Sequence, residues 1–121
     1  MSLKADVRRV GDVAIVDLAG RITLGEGSGL VRNTIKDLVN SGQKNILINL
    51  KDVTYLDSAG LGEMVGAYAS VTNAGGSVKL LHPQNKVHDL LQVTKLYTVF
   101  LAFDDEKEAV RSFLPAAAGG N

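Results

Sequence analysis

One hydroxyl in this chain stands where its surroundings could give it chemistry. It belongs to Ser58, in the stretch Leu56-Asp57-Ser58-Ala59-Gly60-Leu61-Gly62. The stretch follows an apolar run over 46–50 and a short polar turn, and it opens an amphipathic run over 61–72. Ser58 therefore falls where a loop becomes a helix. Either Asp57 or Ser58 could cap that helix, because a short side-chain oxygen accepts a hydrogen bond from the free amides of a first turn. Ala59, Gly60 and Gly62 are too small to shield the hydroxyl. Capping is the plain role of such a serine. The glycines point to a second role. Gly60, Gly62 and Gly66 fall inside the helix, where each costs about 0.5–1 kcal/mol relative to alanine. Three such costs in one short helix predict close backbone approach, either to the protein's own sheet or to another molecule.

Other chemistries find little support. Asp52 and Asp57 are the nearest carboxylate pair, but no nucleophile and histidine accompany them at a matching spacing, and Asp52 reads as a turn former. The segment 25–29, Gly-Glu-Gly-Ser-Gly, lacks the lysine of a P-loop and the spacing of a dinucleotide fingerprint. It reads as a loop with a helix cap at Ser28. His82 and His88 have neither a cysteine nor a helically spaced second histidine, so no metal site is predicted. The chain has no cysteine, which excludes disulfides and thiolate ligands. Lys and Arg balance Asp and Glu at 13 each, which gives a nucleic-acid surface no support. No apolar run is long enough to cross a bilayer, and no signal-peptide core opens the chain. A soluble cytoplasmic protein without membrane insertion is the expectation.

The elements that must position Ser58 follow from periodicity. Residues 4–10 and 13–18 alternate about Gly11-Asp12 and read as a hairpin. The second of these strands is apolar on both faces. A long connection over 20–29 leads to an amphipathic helix over 30–39, with Val31, Ile35, Leu38 and Val39 on one face and Gly42 as its left-handed cap. The run 46–50 is continuously apolar, which fits a central strand covered on both sides. The helix after Ser58 is expected to bury Leu61, Met64, Val65, Tyr68, Ala69 and Thr72. Its other face would then carry Ala59, Gly62, Glu63, Gly66, Ala67 and Ser70, a flat surface suited to docking a second protein or to packing a neighbouring helix. A strand at 78–81, a short apolar stripe over 85–93, a last strand at 98–103 and a final helix follow. Asp105 and Glu108 form a capping-box pattern for that helix. It carries Ala109, Val110, Phe113 and Leu114 and is ended by Pro115. The order predicts a single α/β domain over 1–115 and a loose tail over 116–121. Its sheet should be mixed, an antiparallel hairpin followed by mostly parallel strands.

Asp57-Ser58-Ala59-Gly60-Leu61-Gly62, preceded by Asn49-Leu50-Lys51-Asp52-Val53, resembles the signature of the STAS domain, and within it the bacterial anti-sigma factor antagonists. Leu18-Ala19-Gly20-Arg21 resembles the family's turn after its second strand, and Gly75-Gly76-Ser77-Val78 its later glycine turn. The resemblance implies a mixed sheet with helices mainly on one face. It also implies that Ser58 is the phosphoacceptor of a partner kinase that is itself an anti-sigma factor. Arg21, Thr23, Asp57, Ser58, Ala59, Gly60, Gly62 and Glu63 would form the partner surface. Family members often carry an acidic residue where Thr23 stands. ATP and magnesium would belong to the partner, so the chain needs no cofactor and is not an enzyme. A protein phosphatase would reset the serine. Two other classes remain: a non-switching interaction module, such as a signalling scaffold or a lipid-transport accessory subunit, and a small enzyme or nucleotide binder using the loop 25–29.

Overall fold

The computed structural model describes residues 3–23 and 28–114. Strands β1 (Lys4–Val10) and β2 (Val13–Ile22) form the predicted hairpin, turned at Gly11 with φ +59°. Glycine adopts that left-handed conformation without steric penalty. Then come α1 (Ser28–Asn40), β3 (Asn45–Leu56), α2 (Ser58–Asn73), β4 (Ser77–Leu81), α3 (Asn85–Thr94), a 3-10 turn (Leu96–Thr98), β5 (Ala102–Phe103) and α4 (Glu106–Arg111). The sheet order is β1-β2-β3-β4-β5, antiparallel at the hairpin and parallel elsewhere. The mixed α/β class predicted from the sequence is the one observed.

Consecutive parallel strands joined by crossovers of one hand place their helices on one side. Val31 and Ile35 of α1, Leu61, Met64 and Val71 of α2, and Val87 and Leu91 of α3 bury against Val16, Leu18, Ile46, Ile48, Leu50 and Leu80. Among the described helices only α4 lies on the opposite face, over Val13, Ile15, Leu47 and Leu81. This division explains why β2 is apolar on both faces. It also explains β3, whose Ile46, Leu47 and Ile48 are all inaccessible to solvent.

Several expectations need correction. The strand beginning near 46 does not stop at Leu50. It runs on to Leu56 through two register shifts, because β3 carries an extra residue between Asn49 and Asp52 and another between Val53 and Tyr55 relative to β2. Each bulge adds one residue to a period of two. The buried positions Leu50, Val53 and Leu56 are thus three apart, which hides the strand from a search for alternation. Asp52 sits in this strand and forms no turn. Residues 20–22 likewise extend β2 and do not belong to the connection. The expected last strand over 98–103 shrinks to two residues, since Leu96–Thr98 closes a 3-10 turn after Lys95 at φ +61°. The final helix ends at Arg111, leaving Leu114 exposed. Pro115, the tail 116–121 and the loop positions 24–27 lie outside the described residues.

Candidate functional site

Helix α2 starts where β2 and β3 end, and its first turn rests on the sheet. The Asp57 amide donates to the Ile22 carbonyl at 3.3 Å. A Cβ at Gly60 would stand 2.2 Å from that same oxygen and 2.8 Å from Leu56 Cδ1. No side chain fits there, so Gly60 is a requirement of the fold. Asp57 is the N-cap: its backbone is extended, and its Oδ1 accepts from the Gly60 amide at 2.8 Å. The cap left open by the sequence is thereby decided. Ser58 is the first helical residue, exposed, and among the described residues none bonds its hydroxyl.

The burial of α2 corrects the sequence reading. Gly60, Leu61, Met64, Ala67 and Val71 face inward. Val65, Ala69 and Thr72, expected inside, are exposed, and Ala67, expected outside, is buried. The helix is apolar nearly all round, so hydrophobic spacing alone could not choose between two stripes one residue apart. The stripe through Gly60, Met64, Ala67 and Val71 wins because its small members admit the sheet closely, as the Gly60 contact shows. The exposed stripe then runs Ser58, Gly62, Val65, Gly66 and Ala69, at i, i+4, i+7, i+8 and i+11. Among the described residues, nothing lies within 4 Å of a Cβ built at Gly62 or at Gly66. Val65 and Ala69 were missed as surface residues, and only the inward demand of Gly60 would have revealed them.

The other expected site residues surround this stripe unevenly. Ala59 is half-buried in the first turn. Glu63 turns toward α1, where its Oε2 lies 3.7 Å from Arg32 Nη1 and its Oε1 is buried without a hydrogen-bond partner. Glu63 therefore belongs to the helix–helix contact as much as to the surface. Arg21 is exposed at the end of β2, with its guanidinium 4.7 Å over the Tyr55 ring of β3. Tyr55 had no place in the sequence reading, since the bulges that align it with Arg21 carry no signal of their own. Thr23 stands half-buried just past the strand. Among the described residues, no group of three His, Cys, Asp or Glu is placed to hold a metal ion, and no helix is long and apolar enough to cross a membrane.

An uncommitted serine at a helix mouth, beside a bare strip of backbone, lies within a recognised sequence pattern: the STAS domain model matches residues 4–109. The chain belongs to the STAS domain family. Among curated relatives it is 28% identical over 111 residues to an anti-sigma F factor antagonist of Paenibacillus polymyxa, covering 91% of this chain and 94% of that protein. It is 33% identical over 96 residues to the anti-sigma-B factor antagonist of Bacillus subtilis, covering 79% and 86%. Among solved structures, the phosphorylated form of the Bacillus cell fate determinant SpoIIAA superposes with a TM-score of 0.70, at 19% identity, over 90% of this chain and 98% of that one. At that identity the likeness establishes the fold alone. Within the STAS frame, Ser58 and the outer stripe of α2 form an exposed surface that the packing of the described residues does not use.

Proposed function

We propose that this STAS domain is an anti-sigma factor antagonist controlled by phosphorylation of Ser58. Unmodified, it binds an anti-sigma factor that is also its serine kinase, and so frees a sigma factor. Phosphorylated, it lets go, and a phosphatase restores it. The observation that carries the reading is the division of labour at the helix mouth: Asp57 does the capping, and Ser58 is left exposed. The curated relatives named as anti-sigma factor antagonists support the partner class.

The energetics suit a switch. A phosphoserine carries about −1.5 to −2 charge at neutral pH. At the first position of α2 it would gain roughly 0.3–1 kcal/mol from the helix dipole, while the neighbouring Asp57 opposes it. These terms are small and of opposite sign, so the fold persists. A partner seated on the stripe meets the full charge, and like charges at an interface cost several kcal/mol, with each ~1.4 kcal/mol being tenfold in affinity. The partner brings ATP and magnesium. The direct test is incubation with histidine-kinase-like anti-sigma factors and ATP, followed by mass-spectrometric mapping of phosphate. Label at Ser58, absent in Ser58→Ala, is the expected result. Binding of such a partner with no label at any serine would leave a non-switching interaction module instead.

A further inference from the structure

Helix α4 is six residues long and is the one described helix on its face of the sheet. Beneath it Val13, Ile15, Leu47 and Leu81 are at most 3% exposed, covered by Ala109, Val110 and Phe113. A helix this short has no stability of its own, because too few hydrogen bonds follow its costly nucleation. Beyond apolar contact, two polar clamps fasten it, one toward each end. At the first, Arg8 of β1 donates from Nε and Nη2 to Asp17 at 2.6 and 3.2 Å. The same guanidinium donates from Nη1 and Nη2 to Glu106 at 2.9 and 2.5 Å, joining positions 98 apart in sequence. Asn49 steadies Asp17 from β3 at 2.8 Å. At the second clamp, Lys79 of β4 donates to the Ser112 carbonyl at 2.8 Å and to its hydroxyl at 3.0 Å, lying 4.5 Å over the Phe113 ring. In both clamps the sheet supplies the cation. The Arg8–Glu106 pair is partly open to water, with side chains 40% and 37% exposed, so salt can reach it.

We propose that α4 is a charge-latched cap that opens as a unit, ahead of the rest of the fold, and that Arg8 sets how often it opens. Opening uncovers the apolar sheet face of Val13, Ile15, Leu47 and Leu81 while the opposite core, under α1 to α3, stays closed. Arg8 is the controlling residue because it alone joins α4 to the hairpin strands through an ion pair among the described residues. Lys79 reaches only the turn after the helix.

Hydrogen exchange on the full chain tests this. The amides of Ala109, Ser112, Phe113 and Leu114 are bonded within α4 and its closing turn and report its opening. Amides of 46–50 in β3 report global unfolding. Where exchange follows the opening equilibrium, the α4 amides should exchange at least a hundredfold faster than those of β3. Arg8→Met should speed α4 about tenfold more and β3 by a similar factor, because the ion pair is lost in global unfolding as well as in the opening of α4. The gap between the two reporters should therefore persist. Sodium chloride at 1 M should speed α4 in the wild type and have little effect in Arg8→Met. Glu106→Gln, a milder change confined to the α4 side, should speed α4 about threefold and serves if Arg8→Met does not fold. Equal protection of α4 and β3 in the wild type would overturn the proposal. So would a loss at β3 in the variants with none at α4, since the Arg8 pair would then survive the opening of α4 and could not control it.

Discussion

Helix α2 has two kinds of glycine, and the contrast separates what the fold needs from what it leaves over. Gly60 looks inward, where a methyl group would collide with the Ile22 carbonyl at 2.2 Å. Gly62 and Gly66 look outward, and a methyl group there would touch none of the described residues within 4 Å. All three weaken the helix by about 0.5–1 kcal/mol each relative to alanine. For Gly60 the sheet explains it. For Gly62 and Gly66 none of the described residues does, so their explanation is sought in whatever sits on the outer stripe.

Substitution should break the equivalence of these glycines most visibly at Gly60. Gly60→Ala forces backbone against backbone, so the first turn of α2 must lift from β2. A loss of about 2–4 kcal/mol is expected in urea unfolding at unchanged slope. Next in size is Ser58→Asp, which acts on the outer stripe alone. Its affinity for the anti-sigma partner, read by calorimetry, should fall a hundredfold or more, about 2.7 kcal/mol, with unfolding free energy within about 0.5 kcal/mol of wild type. Unchanged affinity would remove the switch and leave the fold assignment intact. Smaller again is the paired change Gly62→Ala with Gly66→Ala. Stability should rise by about 0.5–1 kcal/mol per site, while partner affinity drops about tenfold from lost close approach. If stability rises and affinity does not move, the outer glycines serve no docked backbone.

The same contrast shows how far the sequence could be read. The strand–helix order was legible because β2 and the first half of β3 are nearly continuous apolar runs and α1 keeps a helical period. The serine was legible because Asp57 and Ser58 head an apolar run, although only geometry could say that Asp57 is the one that caps. The end of β3 was not legible, since two bulges turn its period of two into buried residues three apart. The orientation of α2 was not legible either. Val65 and Ala69 are as apolar as Ala67 and Val71, and the deciding contact, Gly60 against the Ile22 carbonyl, joins residues far apart in sequence. The Arg8, Asp17 and Glu106 cluster escaped for the same reason, being assembled from β1, β2 and α4 by the register of the hairpin.

Acid provides the mildest test, because it should reach one region and spare the other. The exposed stripe of α2 (Ser58, Gly62, Val65, Gly66 and Ala69) carries no charged side chain. The Arg8 clamp on α4 is built on charge. At Glu106, the hydrogen bond from Arg8 is the largest influence and holds the carboxyl below its ordinary value against partial burial. At Asp17, burial pushes upward, but hydrogen bonds from Arg8 and Asn49 together with the Arg8 charge outweigh it, and the net shift is again downward. Arg8 is correspondingly held more firmly protonated, by Glu106 first and Asp17 second. A carboxyl depressed in the folded state binds its proton more readily when unfolded, so stability rises with pH across that range. The contribution is therefore complete above the ordinary carboxylate range and is lost as pH falls through the depressed folded values. Because the groups are more than a third exposed or nearly so, solvent screening limits it to about 1 kcal/mol. Urea unfolding between pH 6 and pH 3 should show this loss in the wild type and a shallower one in Arg8→Met, which has no cation to hold the two carboxyls down. The stability gained by Gly62→Ala should stay constant over the same interval. Were that gain to shrink in parallel with the clamp, the outer stripe and α4 would be coupled, and the two regions could no longer be treated as independent.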